Sequence, residues 1–305
     1  LHAKKKIVLF FKLLSYLPFP ILYLLSDFLF FMAYYVVKYR RNVVWKNLKN
    51  AFPAKSEKEL RSIEKQFYHN FADTSVETLK LLSISEEALL RRVRIDSALT
   101  RKYYSLGYSA FGMTAHFCNW EWLLVASSNQ LGLKLHAAYK RLRSPVYDQL
   151  MISIRSKFGV VLHEKDDVVR SVMLMKDHRY LMAMVADQRP FSGENKYWTR
   201  FMNQDSAFMT GSEVLARRKD IKVVYASMQR IKRGYYEVTF KEVEVAPKQT
   251  IQGQITEKFI ELVEEDINKD PASYLWSHDR WKLKKPTKTD QFLQDLHEAP
   301  EARQK

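Results

Sequence analysis

Tyr108-Ser109-Ala110-Phe111-Gly112-Met113-Thr114-Ala115-His116-Phe117-Cys118-Asn119-Trp120-Glu121 passes from a strand pattern through a turn into a helix. Residues 108–113 are small, aromatic and apolar, as in a buried strand. Asn119 is a good helix N-cap, because its side-chain oxygen can accept a first-turn N–H. The apolar run after it predicts a helix over 120–130. A strand that feeds a helix through a histidine-bearing turn is the start of a βα unit.

The same alternation continues outward. Strand patterns fall at 135–139, 160–162, 180–186, 223–228 and 235–243. Helical patterns fall at 145–158, 166–177, 207–218 and 251–268. Upstream, Ser56 and Glu59 have capping-box spacing and open a helix toward Leu82. Short strands joined by helices predict parallel pairing through right-handed crossovers. Arg233-Gly234 between the last two strands suits a tight antiparallel turn. The expected fold is therefore α/β, a mostly parallel mixed sheet flanked by helices. Ligands of such sheets bind beyond the carboxyl ends of the strands. His116, Lys140-Arg141 and Asp187-Gln188-Arg189 each follow a strand and would converge on that edge.

An apolar arm precedes the sheet. Residues 7–37 carry only two charges, Lys12 and Asp27, and are rich in Leu and aromatics. The run exceeds the ~20 apolar residues that a spanning helix needs. Pro18 and Pro20 interrupt it, and both flanks are basic: Lys4-Lys5-Lys6 before, and Lys38, Arg40 and Arg41 after. That combination suits a hairpin that dips into an anionic leaflet as well as a spanning helix. Residues 38–65 add nine Lys/Arg against three Glu, with Trp45 and Phe52 among them. The expected organisation is a membrane-associating arm over 1–55, an α/β domain over 56–285 and a polar tail over 286–305.

Composition narrows the partners. The 305 residues are 47% hydrophobic and carry a formal charge of +16, enough core for a folded domain and a strong bias toward acidic partners. Much of the excess charge adjoins the arm, so an anionic membrane is favoured and no nucleic acid is expected. The single cysteine, Cys118, excludes an intramolecular disulfide and any Cys-x-x-Cys metal module. Neither a Walker loop nor a dinucleotide fingerprint is present. Ser109 is one residue out of register for a nucleophile elbow, and Cys118 reads as a small buried thiol. His278-Asp279 lacks further metal ligands, and His69, His136, His163 and His178 show no ligand spacing. No metal site is expected.

Chemistry concentrates at His116. Histidine is the usual general base near neutral pH, and a carboxylate on its far nitrogen fixes the tautomer. Glu121 is five residues on, which on a continuous helix is about 140° away. The two can cooperate only if His116 lies in the turn before the helix. Glu121 and Asp187 therefore both stand as the carboxylate partner.

Several motifs in order resemble the lipid A biosynthesis acyltransferases, the late acyltransferases of Gram-negative inner membranes. They are Tyr39-Arg40-Arg41-Asn42-Val43, Asn47-Leu48 and Ala51-Phe52-Pro53, then His116-Phe117-Cys118-Asn119-Trp120-Glu121 as a His-x4-acidic motif, and Ala186-Asp187-Gln188. Thr210-Gly211 with Leu215-Ala216-Arg217 follows, and then Tyr274-Leu275-Trp276-Ser277-His278-Asp279-Arg280-Trp281-Lys282. The resemblance runs from the arm to about Lys285. Asp279 stands where the family has a basic residue, Trp281 where it has Phe, and Gln188-Arg189-Pro190 is an uncommon continuation. The His-x4-acidic motif alone is shared with glycerolipid acyltransferases, whose fold the resemblance implies.

The resemblance also implies a reaction. A fatty acyl chain would move from acyl-carrier protein to a hydroxyl of a lipid A precursor, on the cytoplasmic face of the bacterial inner membrane. His116 would be the base, with Glu121 or Asp187 holding it. Backbone N–H groups near Asn119-Trp120, or Arg141, would face the oxyanion. Arg141, Arg143, Arg155 and Arg189 would meet phosphates or carboxylates of the headgroup. Neither metal nor redox cofactor is implied. The competing readings are the same chemistry on an aminolipid, lysophospholipid or glycolipid, and a non-catalytic protein of anionic membrane surfaces.

Overall fold

The computed structural model describes residues 2–175, 179–190 and 195–286. Its helices are α1 His2–Ser15, α2 Phe19–Phe31, α3 Arg41–Ala51, α4 Glu57–Lys80, α5 Glu86–Leu90, α6 Ala98–Ser105, α7 Trp120–Ser127, α8 Pro145–Arg155, α9 Val168–Leu174, α10 Gly211–Lys219 and α11 Gln254–Lys269. Its strands are β1 Val93–Ile95, β2 Ala110–Thr114, β3 Lys134–Tyr139, β4 Val161–Glu164, β5 Tyr180–Val185, β6 Lys196–Phe201, β7 Gln204–Met209, β8 Lys222–Lys232 and β9 Tyr235–Glu244.

The main sheet has the order β1-β9-β8-β2-β5-β3-β4. Strands β8, β2, β5, β3 and β4 are mutually parallel. Strand β9 runs antiparallel to β8, and β1 is parallel to β9. This is the mixed, mostly parallel α/β sheet that the alternation predicts. Its central strand β2 is apolar throughout because both faces are covered: Ala110 and Phe111 are fully buried and Met113 is nearly so. Helix α11 closes one side with Ile255, Phe259, Ile260, Val263 and Ile267, all buried and spaced as one helical face.

Local chemistry sets the boundaries. Ser56 and Glu59 form the expected capping box at the start of α4. Gly234 turns the β8–β9 hairpin at φ +73°, where a side chain would be strained. The expected helix at 207–218 is corrected at its start. Residues 207–209 belong to β7, where Ala207 pairs with Trp198 and Phe208 with Tyr197. The helix begins only at Gly211. Cross-strand aromatic packing outweighs a helical pattern there. Neither the β6–β7 hairpin nor the three-residue β1 was expected. Residues 176–177 of the expected 166–177 helix, and 287–305 of the expected tail, lie outside the described residues.

The apolar arm breaks at Pro18, which precedes α2 with extended backbone, and Pro20 sits in the first turn, where its missing N–H costs nothing. Residues Phe19–Val36 form a helix long and apolar enough to cross a membrane by length and composition. One face packs on the domain: Leu22, Ser26 and Phe30 are buried. The opposite face is exposed at Ile21, Leu24, Phe28 and Phe31. Polar staples hold α2 down. Ser26 donates to Asp73 at 2.6 Å, Tyr23 donates to Glu77 at 2.9 Å, and Arg233 bridges Asp27 and Asp73.

Candidate active site

Sheet register builds the site. Thr114 at the end of β2 pairs with Val185 at the end of β5. The Ala186 N–H donates to the Thr114 carbonyl at 3.0 Å and extends the ladder by one residue. Two positions past each paired residue stand His116 and Asp187. The His116 Nδ1 lies 2.7 Å from Asp187 Oδ1, and the His116 backbone N–H donates to the same oxygen at 3.0 Å. Residues 71 apart in sequence thus form one dyad.

The turn is fixed from the far end of the chain. The Leu275 N–H donates to the His116 carbonyl at 3.0 Å, and the Cys118 N–H donates to the Ser273 carbonyl at 2.9 Å. Cys118 has φ +51°, which lets the chain reverse between the dyad and α7. Its thiol is buried, and burial pushes its pKa up, so it is an inert core group. Asn47 ties the closing segment to α3 through the Trp276 and His278 carbonyls, and Asn70 ties it to α4 through Ala272.

Electrostatics favour a charged carboxylate facing an imidazole. Asp187 is 2% exposed. Burial alone would raise its pKa, but the imidazole beside it, its hydrogen bonds and the Arg280 guanidinium outweigh that and hold it below the usual range. His116 Nε2 faces Gln188 Nε2 at 3.2 Å. An ionised carboxylate can only accept, so Nδ1 carries the proton toward Asp187. Nε2 is then the unprotonated nitrogen, within reach of the Gln188 amide. The Trp120 ring meets the imidazole edge to face at 5.1 Å.

Glu121 is placed elsewhere. It accepts from Arg155 Nε at 2.9 Å and Nη2 at 2.5 Å, and from Trp120 Nε1 at 3.2 Å. It makes no hydrogen bond to His116, so Asp187 is the carboxylate of the pair. Arg155 is the bidentate partner of Glu121, tying α8 to α7. Asn119 caps α7 through the Trp122 N–H at 3.0 Å, and its amide donates to Glu77 at 2.7 Å. That side chain is fully buried and committed to the scaffold. Arg141 is mostly exposed and pairs with Glu164 at the β3–β4 end of the edge. Arg189 follows the dyad directly, and its buried Nε has no partner among the described residues.

Sequence reasoning gave no role to four neighbours. Gln188 was placed at the strand edge with Asp187 and Arg189 but assigned nothing there. Tyr274 and Arg280 lie in the closing block, which carried no physical signal of contact with a histidine some 160 residues earlier. Arg280 is 2% exposed, stacks on Phe208 at 4.3 Å and has no carboxylate within ion-pair distance among the described residues. Its Nε and Nη2, like His278 Nε2, are buried without hydrogen-bond partners among the described residues. Burial lowers the Arg280 pKa and brings His278 down to about 4. The fourth is Glu77, fully buried on α4. It accepts from Asn119, Tyr236 and Tyr23, so one carboxylate joins the site turn, the sheet and the arm. An acidic residue on the apolar face of the 56–82 helix was its only trace.

A search of curated proteins returns no match to the chain. A family model described as bacterial lipid A biosynthesis acyltransferase matches residues 6–283, from the arm through the closing block that braces the dyad. With nearly the whole chain covered, this protein belongs to the bacterial lipid A biosynthesis acyltransferase family and is an acyltransferase.

Proposed function

We propose that this enzyme transfers a fatty acyl chain from the thioester of acyl-carrier protein to a hydroxyl of a lipid A precursor, with His116 as general base. The observation that carries this reading is the 2.7 Å contact of His116 Nδ1 with buried Asp187, which leaves Nε2 as the unprotonated, basic nitrogen. Nε2 takes the proton of the acceptor hydroxyl as its oxygen attacks the thioester carbonyl carbon. The imidazolium is stabilised by Asp187, as in other histidine–carboxylate pairs. The carbonyl oxygen becomes an oxyanion, and the N–H groups of Trp120 and Glu121 in the first turn of α7 are its donors. The C–S bond then breaks, and the thiolate recovers the proton from Nε2. The acyl chain ends on the acceptor oxygen, with no covalent enzyme intermediate.

Asn119 and Arg155 act here by holding α7 rather than by touching substrate. Trp120 walls the imidazole, and Arg189 is the cation best placed for an anionic group of either substrate. Arg141 contributes at the rim. The exposed apolar face of α2 and the basic stretch after it support an anionic membrane surface as the working site, on this reading the cytoplasmic face of the bacterial inner membrane. Acyl-carrier protein, itself acidic, would meet a chain of charge +16. The test is turnover with acyl-carrier-protein thioester. His116→Ala is expected to lose transfer by at least ~10²-fold while keeping its melting temperature. Retained turnover would remove His116 as base.

A further inference from the structure

Where the apolar helix Phe19–Val36 ends, the chain turns into α3 over an open cavity of about 540 Å³. Four cations line it: Lys38, Arg40, Arg41 and Arg61. Its floor is a buried carboxylate. The Glu64 side chain has no solvent exposure, accepts from Arg41 Nε at 3.1 Å and Nη2 at 3.0 Å, and accepts from Arg61 Nη1 at 3.1 Å. Each of these guanidiniums also lies on an aromatic face. Arg41 is 4.2 Å from the Tyr34 ring centre, and Arg61 is 3.5 Å from that of Trp45. A carboxylate behind and a ring beneath hold both planes in place before any ligand arrives.

The remaining two cations are uncommitted. Lys38 and Arg40 are exposed, and their side chains have neither a hydrogen bond nor an ion pair among the described residues. Arg61 also reaches Glu57 at the rim, at 3.3 Å. Four positive groups against two carboxylates leave the cavity cationic. Its neighbours on the helix side are the exposed apolar residues Tyr35, Val36 and Val37. A ligand seated here would therefore meet cations at one end and apolar surface at the other. A free anion uses only half of that arrangement, and a neutral lipid only the other half.

We infer that this cavity binds the phosphate headgroup of a membrane phospholipid, one molecule per chain, and fixes the depth and orientation of the arm. Lys38 and Arg40 contact the phosphate oxygens, and the Glu64-held arginines supply the preset field. The inference rests on the arm being membrane-associated, but not on the chemistry of His116.

The test uses the detergent-purified full chain and counts bound lipid by native mass spectrometry. The probes are dioctanoyl-phosphatidylglycerol, dioctanoylglycerol, which lacks the phosphate, and inorganic phosphate. The variant is Lys38→Asn with Arg40→Asn. Both positions have φ +52°, which asparagine tolerates, so charge is removed while the backbone is kept. Wild type is expected to take up one phosphatidylglycerol saturably, and the double variant to bind it at least ~10-fold more weakly. Dioctanoylglycerol is expected to show no difference between the two proteins. Equal phosphatidylglycerol affinity in both proteins overturns the site. Inorganic phosphate that displaces the lipid at equal concentration shows a free-anion site and overturns the lipid assignment. Flotation with phosphatidylglycerol vesicles runs in parallel. A wild type that fails to float overturns the membrane reading of the arm; one that floats but shows no lipid stoichiometry overturns this proposal alone. His116→Ala is expected to bind the lipid as wild type does.

Discussion

Asp187 and Glu121 are both buried acids next to the same turn, yet their surroundings give them different work. Asp187→Asn replaces the acceptor of the Nδ1–H by an amide that can present N–H instead. The wrong tautomer then puts the proton on Nε2, and kcat is expected to fall about 10²- to 10⁴-fold with KM little changed. Glu121→Ala leaves Arg155 half-buried without its partner. Its main effect is expected in denaturant unfolding, a loss of about 3 kcal/mol. The acid limb of the kcat/KM profile should change with Asp187→Asn and not with Glu121→Gln. An unchanged limb in Asp187→Asn would return Glu121 to the dyad. The choice between these acids was not legible in sequence. Helical spacing shows that Glu121 turns away, but only the pairing of Thr114 with Val185 brings Asp187 in. The histidine itself was legible, because a capping asparagine three residues later marked it as lying in the turn.

At the scale of elements, two residues join the arm to the sheet. Glu77 accepts three hydrogen bonds in full burial, from α2, β9 and the turn before α7. Burial, its largest influence, raises its pKa. Glu77→Ala would leave Tyr236 and Asn119 without their acceptor, each orphaned group costing about 1–3 kcal/mol. It is expected to lower both the unfolding midpoint and activity, since Asn119 caps the helix beside His116. Activity retained at full stability loss would uncouple Glu77 from the site. Gly234 matters by lacking a Cβ, because an added one would lie 2.0 Å from the Tyr23 hydroxyl of α2. Gly234→Ala is expected to loosen the arm, read as faster proteolysis between α2 and α4. The strands with strong β patterns were legible to within a residue or two at most of their ends. The β6–β7 hairpin was not, because its pairing of Trp198 with Ala207 is a tertiary preference rather than a local one.

Over the whole molecule, buried His136 and half-buried His278 make the fold acid-sensitive. His278 is brought to about 4 by burial, and His136 likewise to about 4 by burial and the neighbouring His163. Each titrates near 6.5 in an unfolded chain. The native state therefore binds fewer protons between those values, so stability is full above about pH 6.5 and declines as pH falls toward 4. Thermal melts across that range should show the decline, and it should be shallower in His278→Gln. A slope unchanged by that substitution would assign the acid loss elsewhere. The +16 charge divides by location as well: cations crowd the end of the apolar helix, while His116 and Asp187 sit at the sheet edge. The central claim joins that edge to one reaction. It is tested most directly by mass spectrometry of lipid A from cells that lack this gene and carry either the wild-type chain or His116→Ala. The account predicts lipid A short of one acyl chain in the deletion, restored by wild type and still short with a folded His116→Ala protein. Lipid A unchanged by the deletion, or restored by His116→Ala, would contradict it.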